Sequence, residues 1–398
     1  MRIQYFPLLV LLQIFVACSG EQGPTDAEKL GYFKETYESN REAFRQLCAR
    51  MKDQRAEAST LNVPSRSDKD LTIDLCYFPP ATPGGKLVII TSGIHGIEAF
   101  ASSAIQRFFM DRLLGKLNRA DLGILLVHGV NPFGFRHERR VTENNVDLNR
   151  NFDETPALFQ TKNEGYSKIN SLLNPTEQAN PGNLSNRFFP LRAIYNIVMH
   201  SMAALRQAAL QGQYEYPKGI YFGGSDFEPQ KEILSPRFLQ VASSYRAIML
   251  IDIHTGYGAR GKLHFFPNAI KDAATRKRIE TVYAGYQVDY GDTKDFYTTT
   301  GDFSEYLGKL LKGKEYIPMV FEFGTLDSQT TSGSIKSIHN MILENQGYHY
   351  GFDSDESKAE VRRRFREHFY PSSSVWRTQV LTTSEEVFPL ILERFSSL

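Results

Sequence analysis

Four predominantly apolar runs constrain the fold of this chain more than any other feature. They cover residues 86–91, 122–129, 247–253 and 319–323. Runs that are apolar on both strand faces are typical of a sheet covered by helices on both sides. Helical patterns such as 97–117 and 273–287 separate the runs. This alternation predicts a single α/β domain with a mixed, mostly parallel central sheet flanked by helices.

A polar motif stands at or just after the end of three of these runs. The motifs are His95-Gly96-Ile97-Glu98, Asp252-Ile253-His254-Thr255-Gly256 and Phe321-Glu322-Phe323-Gly324. Open α/β sheets bind their ligands at the carboxyl ends of the strands, so we expect the three motifs to meet there. His95, Glu98 and His254 supply N and O donors for three corners of a zinc tetrahedron, which leaves the fourth corner for water.

Glu322 is the expected general base. It lies in a strand that is otherwise made of large apolar side chains, where a carboxylate is costly to bury. Desolvation raises the pKa of such a group toward the range that a base needs. We therefore expect Glu322 to take a proton from the attacking water and to pass it to the leaving amine.

Further polar segments lie between the two metal motifs, and their order is informative. They are Asn131-Pro132-Phe133-Gly134, Arg139-Arg140 and the run from Asn144 to Phe152, which contains Asn149-Arg150-Asn151. With the metal motifs, this order resembles the zinc metallocarboxypeptidase family, which includes the pancreatic carboxypeptidases. The resemblance is greatest to the bacterial carboxypeptidase-like domains of unknown substrate. It covers residues 85–155 and 247–326 and implies a zinc carboxypeptidase-like fold with one Zn²⁺.

The resemblance also implies roles for residues that bind the substrate. Asn149 and Arg150 match the pair that holds a substrate's terminal carboxylate, for which the planar fork of arginine is well suited. Arg140 matches the arginine that polarises the scissile carbonyl, and Arg139 is the alternative.

Two more positions take their roles from the same resemblance. Asp147 matches an acid behind the first metal histidine and is implied to hold His95 in its metal-binding tautomer. Tyr297 resembles the family's mobile tyrosine, which closes over the substrate; an ordinary loop aromatic is the alternative.

The implied reaction is hydrolysis of an amide bond next to a free carboxylate. The leading prediction is a metallocarboxypeptidase that acts on peptides or on cell-wall stem peptides. A zinc deacylase of N-acyl amino acids, similar to aspartoacylase or succinylglutamate desuccinylase, is the alternative, since it also holds a carboxylate. A non-catalytic binding lipoprotein is the third hypothesis, and the presence of Glu322 with every other expected polar group argues against it.

The insertion at about 153–245 is not covered by the resemblance. Residues 191–211 are predicted to form one helix, and 221–225 are a candidate substrate loop. A pocket mouth, a lid and a subunit contact all remain open as roles for this insertion.

The first residues are typical of an export signal. Arg2 precedes an apolar run of about 12 residues, which is too short to span a bilayer but suits a signal peptide. The run ends at Val16-Ala17-Cys18-Ser19, which resembles a bacterial lipobox in which Cys18 is lipidated. Phe15 departs from the leucine that is usual there.

These features predict the domain organisation. We expect a signal peptide at 1–17, a lipidated linker at 18–26 and one catalytic domain at 27–398 that contains the insertion. The protein is then expected as a lipoprotein in the periplasm or at the outer membrane or cell surface, with soluble secretion as the alternative.

Charge and cysteine content limit the partners. The chain has 46 Lys and Arg against 45 Asp and Glu, a net charge of +1, which gives no support for nucleic acid as a partner. Membrane contact is expected only through the lipid anchor. Cys48 and Cys76 remain after Cys18, and a disulfide and two buried free thiols are both open for them.

Overall fold

The computed structural model describes residues 24–290 and 299–398. The predicted signal peptide, Cys18 and Tyr297 lie outside these residues. The strands are β1 (Glu57–Asn62), β2 (Thr72–Phe78), β3 (Lys86–Ser92), β4 (Leu122–His128), β5 (Ala247–Gly256), β6 (Leu263–Phe266), β7 (Glu315–Ile317) and β8 (Val320–Gly324). The helices are α1 (Asp26–Leu30), α2 (Tyr37–Arg50), α3 (Ala99–Phe108), α4 (Pro132–Arg136), α5 (Glu164–Leu173), α6 (Leu184–Arg187), α7 (Phe189–His200), α8 (Met202–Leu210), α9 (Pro229–Ala242), α10 (Ala273–Val282), α11 (Phe303–Leu310), α12 (Thr331–Tyr350), α13 (Asp355–Phe369) and α14 (Ser374–Ser397).

One mixed sheet organises the molecule. Its strand order is β1-β2-β4-β3-β5-β8-β6, and β7 pairs with β5 beside β8. The pairings β3–β4, β3–β5, β5–β7 and β5–β8 are parallel, whereas β1–β2, β2–β4 and β6–β8 are antiparallel. The prediction of a mixed, mostly parallel sheet flanked by helices is confirmed.

The hydrophobic core is centred on β3, β4 and β5. Every residue of these strands is buried, and Ile89, Leu125 and Leu250 are fully inaccessible to solvent. Burying each such side chain stabilises the fold by roughly 1.5–3 kcal/mol. Helix α3 packs on all three strands and is itself covered by α2 and α14. The parallel strands β3, β5 and β8 therefore end at one rigid edge of the sheet.

The insertion is helical and packs on the remainder of the domain. Helix α5 packs on α8, and α7 contacts both α8 and α12. The prediction of one helix over 191–211 is wrong, because the helix is interrupted at Ser201, between α7 and α8. Ser201 has φ 70° there, in the left-handed region, and its side chain caps α8 by accepting a hydrogen bond from the N–H of Ala204 at 3.2 Å.

The amino-terminal part of the fold adds an edge strand to the sheet. Residues 57–62 form this strand, β1, which pairs with β2. Cys48 in α2 and Cys76 in β2 form a disulfide. Among the residues that the structure describes, no helix is both long and apolar enough to cross a bilayer.

Candidate metal centre

His95 and Glu98 are positioned by the turn that connects β3 to α3. His95 precedes a short 3-10 turn, Gly96–Glu98, that leads directly into the helix. The turn is fixed by backbone hydrogen bonds from Gly96 N–H to Arg140 O at 3.0 Å and from Ile97 N–H to Arg139 O at 2.8 Å. A Cβ on Gly96 would lie 2.1 Å from the carbonyl carbon of Gly134, so only glycine allows this approach.

His254 and Glu322 come from adjacent parallel strands. They are register partners across the β5–β8 pair, so their side chains leave the same face of the sheet side by side. Asp252 lies two residues before His254 and therefore shares that face. The carboxyl-terminal edge of the sheet thus brings the three predicted motifs together.

The three predicted metal ligands form a compact buried cluster. Nδ1 of His95 lies 2.8 Å from Oε1 of Glu98, and Nδ1 of His254 lies 3.0 Å from Oε2 of Glu98. The two Nδ1 atoms are 3.1 Å apart. One donor atom from each residue lies within 4.8 Å of the others, an arrangement that could hold a metal ion.

A carboxylate contacts the far nitrogen of each histidine. Nε2 of His254 lies 2.7 Å from Oδ2 of Asp252, whose other oxygen accepts a hydrogen bond from Thr91 Oγ1 at 2.5 Å. Nε2 of His95 lies 3.2 Å from Oδ1 of Asp147. In the neutral, metal-binding form of each ring, Nε2–H donates to the acid beside it and the Nδ1 lone pair points at the Glu98 carboxylate. Three converging acceptors fit a cation, and two imidazoles with a carboxylate fit zinc.

Electrostatics within the cluster favour its charged forms. Burial raises the pKa of Glu98, but His95 and His254 outweigh this and hold that pKa well below its usual range. Burial lowers the pKa of His254, yet Asp252 and Glu98 outweigh it and raise the pKa well above the ordinary value. A cation bound between these groups would compete with the proton that Asp252 and Glu98 favour on His254.

Glu322 is half-buried and lines one cavity together with His95, Glu98 and His254. Its neighbours Phe321 and Phe323 point into the core, as the strand alternation requires. Oε1 of Glu322 accepts a hydrogen bond from the N–H of Tyr257 at 2.9 Å. Burial, followed by repulsion from Glu98, raises the pKa of Glu322 to about 8.

Arg140 reaches the cluster, whereas Arg139 does not. Nη1 of Arg140 donates to Oε1 of Glu98 at 3.0 Å and Nε donates to Oδ2 of Asp147 at 3.1 Å. Its Nη2 lies 2.5 Å from Nε2 of His95. Arg139 instead donates to Glu344 at 2.7 Å and lies outside this cavity.

Arg150 is a buried cation whose guanidinium group donates its hydrogen bonds to backbone carbonyls. It is 3% exposed and lines the cavity. Nε and Nη2 donate to the carbonyl oxygen of Leu210 at 3.0 and 2.5 Å, and Nη1 donates to that of Asn149 at 2.7 Å. Within the described ranges, no carboxylate forms an ion pair with it. Because a buried unpaired charge is costly, this site favours an anion from outside the chain.

Asn149 and Tyr221 complete this end of the cavity. Oδ1 of Asn149 accepts a hydrogen bond from Phe303 N–H at 2.9 Å, which orients the side-chain amide. The Tyr221 ring lies 5.5 Å from Cζ of Arg140 and 5.9 Å from Cζ of Arg150. Tyr221 has φ 56°, and its hydroxyl makes no hydrogen bond to any residue in the described part of the chain.

Sequence reasoning missed two features of this site. Asp252 was part of a motif but had no assigned role, although an acid two residues before a histidine in a strand shares its face. Tyr221 lay in the candidate substrate loop, but no local signal placed it between the two arginines. Tyr297 cannot be compared, because it lies outside the described residues.

The cavity extends from the metal cluster into an apolar chamber. Its volume is about 220 Å³. The chamber is built by insertion helices together with α12. Its apolar lining comprises Ile169, Leu172, Leu173, Phe189, Ala193, Ile197, Leu205, Ala209, Leu210, Ile335, Ile338 and Met341.

A family model described as "Protein of unknown function (DUF2817)" matches residues 33–383 of the chain. No curated protein gives a significant match. Among solved structures, bovine thrombin-activatable fibrinolysis inhibitor, in complex with tick carboxypeptidase inhibitor, is similar at 13% identity and a TM-score of 0.44. That match covers 79% of this chain and 97% of the other.

Two further solved structures show a similar degree of likeness. Carboxypeptidase A from Helicoverpa armigera matches with 12% identity and a TM-score of 0.40, covering 87% of this chain and 77% of the other. A succinylglutamate desuccinylase from Silicibacter sp. TM1040 matches with 13% identity and a TM-score of 0.35, covering 74% and 67%.

Proposed function

The chain belongs to the DUF2817 family, and from its site we propose that it is a zinc-dependent hydrolase of an amide bond next to a free carboxylate. The preferred substrate is a peptide or a cell-wall stem peptide, cleaved at its carboxyl-terminal residue. One observation carries the proposal: a single cavity is lined by the metal-ligand cluster, Glu322 and Arg150, which forms no ion pair within the described ranges.

The residues divide the work between binding and proton transfer. Zinc, when bound by His95, Glu98 and His254, supplies Lewis-acid polarisation of a carbonyl and a lowered pKa for water. Glu322 accepts a proton from the attacking water and delivers it to the leaving nitrogen. Arg140 donates to Asp147 through Nε and to Glu98 through Nη1, and a remaining N–H stabilises the carbonyl oxygen as it gains negative charge.

Arg150 and Asn149 hold the substrate carboxylate. Leu210, at the end of insertion helix α8, fixes the Arg150 guanidinium by accepting two of its hydrogen bonds. The insertion therefore contributes to the carboxylate site as well as to the chamber. The chamber favours a substrate with a large apolar group near the scissile bond.

A deacylase of N-acyl amino acids is the second candidate, because the same arginine and metal cluster would serve it. Its acyl group would occupy the apolar chamber while Arg150 held the amino-acid carboxylate. Neither the cluster nor Glu322 distinguishes the two reactions, since both are amide hydrolysis.

Matched substrates separate the possibilities. Purified protein is incubated with one peptide that has a free carboxyl terminus, with its amidated form and with N-acyl amino acids, and the products are identified by mass spectrometry. Stepwise loss of residues from the free peptide alone, stopped by a chelator and restored by zinc, supports the carboxypeptidase. Release of acyl groups alone supports the deacylase. Cleavage of none of these substrates by zinc-loaded protein contradicts the proposed function.

A further inference from the structure

Helix α7 carries apolar side chains on both of its faces. Its inner face contributes Phe189, Ala193 and Ile197 to the wall of the cavity. Its outer face is open to solvent, and α6 packs next to it. Of the twelve large apolar side chains that are exposed in the described part of the chain, seven lie on these two helices or at their junction. They are Leu184, Phe188, Leu191, Ile194, Tyr195, Val198 and Met199.

This surface, which we call the α6–α7 face, is much more concentrated than the scattered exposed apolar residues elsewhere. Tyr195 is 65% exposed and Val198 is 77% exposed. Helix formation alone requires none of these residues to be apolar, and soluble surfaces rarely gather so many in one segment. The pattern indicates an interaction surface.

The charge of the same segment narrows the choice of partner. No aspartate or glutamate occurs between Glu177 and Glu215. Arg187 and Arg192 are both exposed in this interval. The chain is nearly neutral as a whole, with a net charge of +1, so this stretch is locally basic.

A surface cleft lies between α5 and α7 on this side of the molecule. Its lining includes Lys168 from α5 and Arg192 from α7, together with Tyr195 and Asn196, and it includes no acidic side chain. Two cations beside amide and hydroxyl groups suit a phosphate group.

We propose that the α6–α7 face binds an anionic phospholipid surface. The apolar side chains enter the boundary between headgroups and acyl chains, and Lys168, Arg187 and Arg192 contact the headgroup phosphates. The basic, acid-free composition favours this occupant over a second copy of the chain. This contact is distinct from the lipid anchor that the sequence predicts at Cys18, and it does not depend on the hydrolase reaction.

A tryptophan reporter tests the contact at one position of the surface. Trp376 is the only tryptophan of the chain, and it is buried with its indole N–H on the carbonyl oxygen of Gly324. The full chain with Tyr195→Trp therefore gains one exposed reporter on the α6–α7 face. Val375 is 74% exposed and lies in α14, so Val375→Trp is the matched control.

Each protein is mixed with phosphatidylglycerol vesicles or phosphatidylcholine vesicles that contain brominated lipid. We expect a blue shift and bromine quenching for Tyr195→Trp with phosphatidylglycerol, reduced at high salt, and neither change for Val375→Trp. Adding Val198→Glu to Tyr195→Trp should weaken vesicle binding about tenfold or more. The substitution replaces an apolar side chain that enters the bilayer with a carboxylate that the anionic headgroups repel.

Three results would overturn the proposal. One is the absence of quenching at position 195 with either lipid. Another is equal quenching with phosphatidylcholine, which would show that the cations of this face do not select anionic lipid. The third is a blue shift of Tyr195→Trp that rises with protein concentration without vesicles, which assigns the face to a second copy of the chain.

Discussion

Glu322 differs from Glu98 in how its surroundings act on its charge. Burial and the neighbouring Glu98 carboxylate raise the pKa of Glu322, whereas two histidines lower that of Glu98. We expect Glu322→Gln to reduce turnover about 100-fold or more, because amide nitrogen and oxygen cannot replace a general base. Metal content should stay unchanged, since Glu322 is outside the ligand set.

Steady-state kinetics with metal analysis measures both quantities. Glu315→Gln, on the neighbouring strand β7 and outside the cavity, is the control and should keep full activity. If Glu322→Gln retains more than a few per cent of turnover, Glu322 is not the base.

Arg150 should determine whether a free carboxylate is recognised. Arg150→Lys keeps the positive charge but loses the planar fork, so kcat/KM for a free-carboxylate substrate should fall on the order of 100-fold. The ratio of rates on free and amidated peptides should fall with it. Arg206 also lines the cavity, but it donates to Ser328 and Ser334, so Arg206→Lys should leave that ratio unchanged. An unchanged ratio in Arg150→Lys would remove its assigned role.

Asp252 and Asp147 should each support metal binding through the histidine that they contact. Asp252→Asn and Asp147→Asn are expected to weaken zinc affinity about 10- to 100-fold. Competition with a chelating dye measures this directly. Asp289→Asn, outside the cavity, is the control. Wild-type affinity in Asp252→Asn would mean that the strand alone orients His254.

The residue types of the metal cluster were predictable because spacing and chemistry coincide within short segments. HxxE needs one turn, and His254 and Glu322 each end an apolar strand. Arg150's role was implied only by resemblance. Its hydrogen bonds to the backbone carbonyls of Leu210 and Asn149 emerge from the fold. Tyr221 reaches the arginines through a left-handed backbone conformation, which nothing in its local sequence requires.

At the scale of elements, strands were predicted better than helices. The runs at 86–91 and 122–129 correspond closely to β3 and β4 because buried strands carry continuous apolar residues. Helix α12 was missed although it has 20 residues. Its buried side includes Asn340, Asn345 and Gln346, so polar residues obscure the helical spacing of its apolar ones.

The insertion helices should set the size of the substrate's apolar group. Ala193 on α7 lines the chamber, and Ala193→Phe would fill part of it. We expect kcat/KM to fall roughly tenfold or more for substrates with a large apolar group, and little for those with a small one. Kinetics on a matched substrate series measures this. Ala203→Phe, on the exposed side of α8, is the control. Equal loss on all substrates would instead indicate a folding defect.

At the scale of the whole molecule, the sheet explains why remote segments form one site. Residues 95, 254 and 322 are far apart in the sequence, yet β3, β5 and β8 are consecutive in the sheet and parallel. The sequence predicted this from the order of strands and motifs. It could not predict how the insertion covers the site, because helix-to-helix packing depends on contacts between distant residues.

The Cys48–Cys76 disulfide links the outer layer to the sheet. It joins α2 to β2 over a separation of 28 residues and supports the proposal that the protein is exported to an oxidising compartment. Closing a loop of this length stabilises the folded state by about 3–4 kcal/mol, because the cross-link lowers the conformational entropy of the unfolded chain. Cys48→Ala with Cys76→Ala should therefore lower the free energy of unfolding by about that amount, as measured by urea denaturation.

The same double variant should retain its zinc affinity, because neither cysteine contacts the metal cluster or lines the cavity. Reduction of the wild-type protein should reproduce the loss of stability, while the double variant should be insensitive to reductant. A wild-type protein whose unfolding midpoint does not respond to reductant would show that the two thiols are free, and the support that this bridge gives to export would be lost.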